Sequence, residues 1–177
     1  SDVCSSDLTD RSTEWGLGER TGLWSGVTTG DFDGDGRPDL AVGNRGRNTA
    51  YGLLPTQTIR LHFGQWTTNG PVALVEGYLE SGQEYPIADR LRLARGLPDL
   101  PTRFPTHAAF GAATIEQILG PHRERMSVRA VNTLDSGVYL NRGTRFEWVP
   151  FPSEAQRSAA GSIVVADLDG DGQIGRA

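Results

Sequence analysis

The chain has 177 residues, with 17 basic against 22 acidic side chains and a formal net charge of −5. That length is one domain's worth, and the acidic balance argues against a nucleic-acid binder or a polybasic membrane surface, both of which must attract anions. With 37% hydrophobic residues the chain is too apolar for a disordered tail; no stretch approaches the ~18 apolar residues of a membrane helix, and Gly 23 with Pro 10 favours short strands over long helices.

The ends read differently from the interior. Cys4-Ser5-Ser6-Asp7-Leu8 can be encoded by TGC TCT TCC GAT CT, which resembles a common sequencing adapter. Gln173-Ile174-Gly175-Arg176-Ala177 can be encoded by CAG ATC GGA AGA GC, its reverse complement. We read residues 1–8 and 173–177 as translated adapter flanking a fragment of a longer gene, and set them aside from fold reasoning. The lone cysteine, Cys4, belongs to that tail and says nothing about redox compartment.

Within residues 9–172 the first clear element is strand, acidic loop, strand. Val27 and Thr28 lead into Gly30-Asp31-Phe32-Asp33-Gly34-Asp35-Gly36-Arg37-Pro38-Asp39, and Leu40-Ala41-Val42 lead out. Residues 59–63 alternate apolar and polar as a half-buried strand does, and residues 71–79 form another strand-length run. Pro86 then suggests a helix start, with Leu91, Leu93 and Ala94 following and Gly96 as a stop. Pro98, Pro101 and Pro105 punctuate a loop. Thr114 and Gln117 stand three apart, as a capping box requires, and predict a second short helix ending at Gly120-Pro121. Strand patterns return over 127–132, 137–141, 145–149 and 162–166. The expectation is an all-β chain interrupted by one helical insertion at about 86–120.

The acidic loop carries the chemistry. Asp31, Asp33, Asp35 and Asp39 occupy positions 1, 3, 5 and 9, with glycine at 6, and Asp167, Asp169 and Asp171 repeat the start of that pattern. A hard cation such as Ca2+ takes about 6–8 oxygens, and alternate side chains of a tight loop converge on one. Gly34 and Gly36 permit the positive φ angles the turn needs. Arg37, at position 7, would offer its carbonyl oxygen. An EF-hand is rejected, because position 12 is Val42, inside an apolar run, where a bidentate glutamate belongs. In the second loop position 9 is Gly175, so a carboxylate is missing. A neutral copy of the spacing, Gln65 to Ala73 with Gly70 at position 6, replaces every carboxylate and is expected to bind no calcium.

Residues 27–44 resemble an FG-GAP/VCBS repeat, the calcium-loop blade motif of integrin α-type β-propellers. Residues 138–146 resemble the strand–turn–strand piece of such repeats, and Ile163 to Gly172 resembles the start of another. Residues 84–110 are similar to an insertion in large bacterial proteins related to the ASPIC/UnbV group. The resemblance implies a partial β-propeller of about three blades. It further implies a secreted, periplasmic or cell-surface setting and a non-enzymatic scaffold that binds calcium and presents loops to a protein or carbohydrate partner.

Catalytic alternatives have little support in the sequence. His62, His107 and His122 lack any metal-ligand spacing, and His62 is expected at a surface or rim. Asp135-Ser136-Gly137 lacks the frame of a nucleophile elbow, and Gly16-x-Gly18 lacks a third glycine and a preceding strand. Trp15, Trp24, Trp66 and Trp148 are expected to pack rather than stack sugars, and Arg90, Arg92 and Arg95 to line the solvated side of a helix. A propeller-based lyase or glycosidase would need a carboxylate pair, and Glu76, Glu80 and Glu84 form the nearest cluster, expected on an exposed strand and turn.

Overall fold

The computed structural model describes residues 9–54, 58–158 and 160–167. In chain order its elements are β1 (Trp24–Gly30), β2 (Asp39–Asn44), β3 (Ile59–Gln65), β4 (Val72–Glu80) and β5 (Gln83–Pro86). Then come α1 (Arg90–Ala94), α2 (Leu100–Arg103), α3 (His107–Gly111) and α4 (Ile115–Leu119), and finally β6 (Met126–Val131), β7 (Gly137–Asn141) and β8 (Phe146–Pro150). The strands form two four-stranded antiparallel sheets, ordered β1-β2-β7-β8 and β5-β4-β3-β6. The all-β expectation therefore holds, with few and short helices.

The chain divides into two compact units, one joining the segment up to Gly52 with the segment from Leu134, the other spanning Leu53–Thr133. In the first, β2 lies between β1 and β7, with Gly30 opposite Asp39 and Leu40 opposite Tyr139. Its central position explains why β2 is buried nearly throughout while β1, at the sheet edge, is not. Much of this unit is held by polar groups. Buried Asn44 accepts from the Leu23 amide (3.0 Å), and its own amide donates to the Ser136 hydroxyl (2.9 Å). Buried Ala41, Val42 and Leu134 and aromatic rings add apolar contact, as expected of Trp24 and Trp148: their centroids are 5.9 Å apart, and Tyr139 and Trp148, register partners on β7 and β8, lie at 4.7 Å.

The second unit is built around an apolar core. Trp66, Val75, Leu97, Leu100, Ile115, Ile118 and Leu119 are all buried in one cluster. The helices are short, and α1, α3 and α4 carry side-chain caps. Asp89 accepts from the Arg92 amide (2.9 Å) at the start of α1, Thr106 from Ala109 (3.1 Å) at α3, and Thr114 and Gln117 form the expected capping box at α4.

Three expectations are corrected. Pro86 does not start a helix: it closes β5 opposite Gly77, on an edge strand where its missing N–H costs no ladder bond. The proline-punctuated loop holds two helical turns, α2 and α3, with Pro101 in the first turn of α2, where helices tolerate it. Residues 162–166, expected as a strand, carry no strand pairing.

Candidate metal centre

The loop between β1 and β2 is shaped by its own carboxylates. Asp31 accepts backbone N–H bonds from Gly34 (2.8 Å), Asp35 (3.1 Å) and Gly36 (2.9 Å), which wraps the backbone around its side chain. The turn needs φ of 78° at Gly34 and 82° at Gly36, the left-handed values expected there. The Gly36 N–H bond, the largest influence, holds the Asp31 carboxyl below the ordinary carboxylate range against the opposing effect of desolvation, with the Gly34 and Asp35 amides adding to it.

Asp39, the ninth position, is fully buried at 0% exposure. One carboxylate oxygen accepts from the Phe32 amide (2.8 Å) and the other from the Asn141 amide on β7 (2.7 Å). It therefore ties loop, β2 and β7 together. The Asn141 side chain adds a bond to the Pro38 carbonyl (3.1 Å), and Arg37 donates to the Asn141 carbonyl (2.8 Å).

Ligand-capable oxygens of Asp31, Asp33 and Asp39 all lie within 4.8 Å of one another. Oxygens sharing one calcium at about 2.3–2.6 Å can be at most about 4.6–5.2 Å apart, so the spacing suits a single hard cation. A further observation fits that use. Asp33 Oδ1 is buried and has no hydrogen-bond partner, while its other oxygen is ion-paired with Arg142. An orphaned buried carboxylate oxygen is costly unless a cation or water completes it. The donors are all oxygen, the set that hard divalent cations prefer.

Asp35, also expected as a ligand, stands outside this group: it accepts from the Arg37 amide (2.9 Å), pairs with the Arg37 guanidinium and lies 3.8 Å from Arg142. Arg142 arrives from the β7–β8 turn and also binds Glu147 (2.8 Å), so a cation 109 residues after Asp33 belongs to the loop's surroundings. Nothing in the loop's own spacing signals that residue. In the second loop Asp167 is exposed, and Asp169 and Asp171 lie outside the described residues. The neutral copy forms the β3–β4 connection, closed by a Gly70 N–H bond to the Thr67 carbonyl (2.9 Å), and offers no carboxylate.

Elsewhere, His62 is not at a surface. It is buried at 6% exposure and its Nε2 lies 2.6 Å from Glu84 Oε1, so Glu84 also leaves the exposed cluster expected of it. Arg90 binds the Phe104 carbonyl (2.7 Å) rather than solvent alone, while Arg92 and Arg95 are exposed as expected. His122 stacks on Trp66 at 4.0 Å, and the Trp66 indole N–H donates to Asp99 (2.6 Å), a packing role. No helix among the described residues is long and apolar enough to cross a membrane.

A protein of Saccharopolyspora erythraea named "Probable DNA ligase" is 33% identical over 129 residues, 66% of this chain and 24% of that protein, so the chain spans about a quarter of its length. No solved structure matches. Residues 23–53 match the family described as the FG-GAP repeat, and β1, the acidic loop and β2 of this chain are such a repeat.

Proposed function

We propose that the chain is a non-enzymatic, calcium-binding piece of a β-propeller from a secreted or surface-exposed protein, serving as a scaffold for a protein or carbohydrate partner. The single observation that supports this most is the convergence of Asp31, Asp33 and Asp39 inside an FG-GAP repeat. Those three carboxylates would hold the ion, with Asp35 and the Arg37 carbonyl as the remaining expected donors. Bound calcium supplies charge: it offsets the mutual repulsion of the carboxylates and completes the buried oxygen of Asp33. The residues then do the structural work. Asp31 holds the turn through three amides, and Asp39 holds the turn to β7. Calcium's role is to pin the β1–β2 corner, and a millimolar extracellular supply suits a site of modest affinity.

The test is thermal melting of the chain in calcium and in chelator, with Asp33→Asn alongside. Calcium raises the melting temperature of the native chain and raises that of Asp33→Asn much less. Identical melting with and without calcium, together with no retained metal, overturns the reading.

A further inference from the structure

The second unit contains a cleft of about 500 Å³ that the repeat does not account for. One wall is the sheet, with Arg60 and His62 from β3 and Glu84 from β5. The other includes the first turn of α4, with Glu116, and the following segment, with Arg123. The sheet wall is organised across three strands. Glu84 reaches His62 over Gly77 of β4, and a Cβ at Gly77 would meet the Glu84 carboxylate and lie 2.9 Å from both Glu84 Cγ and Ile115 Cγ1, so a side chain there would push Glu84 or Ile115 from its place. A buried histidine bonded at 2.6 Å holds one carboxylate oxygen, and Arg60 stands 3.4 Å from the other. The hydrogen-bonding edge of this wall is thus set before any ligand arrives.

Charge selects the ligand. Each arginine of the cleft already has a carboxylate, Arg60 with Glu84 and Arg123 with Glu116 at 2.8 Å. An anion would meet a glutamate beside each guanidinium, and a cation would meet an arginine beside each of these carboxylates. A hydroxyl group suits both: it donates to a carboxylate and accepts from a guanidinium at once. Half-buried Leu79 supplies apolar surface for the C–H face of such a ligand, with Ile115 and Leu119 buried behind the cleft as part of the core. The volume falls within the range of small-ligand sites. We infer that this cleft binds a neutral, polyhydroxylated ligand, a hexose unit of a glycan. It rests on the scaffold reading above for its biological context, yet it lies wholly within the second unit and involves none of the carboxylates proposed for calcium.

The experiment follows backbone amide shifts of the full chain titrated with the methyl glycosides of glucose, galactose and mannose, with glucuronate and inorganic phosphate as charged comparisons. Saturable shifts centred on residues 82–84 and 114–117 are expected with at least one neutral glycoside. Glu84→Gln and the exposed-rim variant Arg123→Gln should each weaken it about tenfold or more while amides outside the cleft keep their positions. Excess chelator should leave the glycoside shifts in place, so failure of the calcium reading remains distinct from failure of this one. Absence of saturable shifts with all three glycosides, tighter binding of glucuronate or phosphate, or undiminished binding by Arg123→Gln overturns the inference.

Discussion

The two units reach order by different physics. Leu53–Thr133 buries a continuous apolar cluster under four short helices, three of them capped by side chains, whereas the unit carrying the repeat relies on Asp39, Asn44 and Ser136 as buried polar joints. The two hairpin connections show the contrast in miniature. From the end of β1 to the start of β2 the chain spends four carboxylates, three of them converging; between β3 and β4 it turns with Thr67, Asn69 and Gly70 and no charge at all. A cation can therefore strengthen one hairpin and has nothing to grip in the other.

The largest expected effect is on the apolar side. Leu100 is fully buried, so Leu100→Ala should lose about 2–5 kcal/mol in denaturant unfolding, with calcium giving no rescue. Rescue by calcium would mean that the two units do not divide their stability as described. On the polar side, Asp39→Ala strips a partner from the Phe32 and Asn141 amides, at about 1–3 kcal/mol for each donor left buried. Its loss should appear in β1, β2 and β7, read from amide exchange, and spare β3 and β4.

A smaller effect is expected at Gly36. An added Cβ there meets nothing within 4 Å, so Gly36→Ala carries only the cost of a left-handed φ, about 1–2 kcal/mol. A larger loss would show that the loop is packed more tightly than its exposed glycines indicate. The smallest effect is with pH. The Asp31 carboxyl is lowered in the folded chain by the Gly36 amide and its neighbours, so its contribution is fully present above the ordinary carboxylate pKa of 3.8 and is lost as pH falls through the lowered folded value. Asp31→Asn should flatten the acid limb of stability below about pH 4, measured by denaturant midpoints across that range.

The strand framework and the acidic loop were legible because both are local. Period-two alternation located β3, strand-length runs located β4 and β7, and carboxylate spacing located Asp31, Asp33 and Asp39 without tertiary information. The misses are tertiary. In 59–63 the polar parity, Arg60 and His62, ordinarily faces water; here His62 is buried and bonded to Glu84, so the side that looks solvated is the covered one. Helices of four or five residues are too short to show a period, which hid α2 and α3 behind their prolines. β7 joins β2 after 92 residues between the end of one and the start of the other, and no local pattern announces that partner. Arg142's place beside Asp33 follows from the same pairing.

The account turns on calcium acting at one corner of the molecule, and residue-resolved amide exchange in calcium and in chelator measures that directly. Calcium should slow exchange at Phe32, Gly34, Asp35, Gly36 and Asn141, the amides held by Asp31 and Asp39, while the β3–β4 ladder exchanges at the same rate in both conditions. Equal exchange at those five amides with and without calcium, or protection spread evenly over both units, would contradict it.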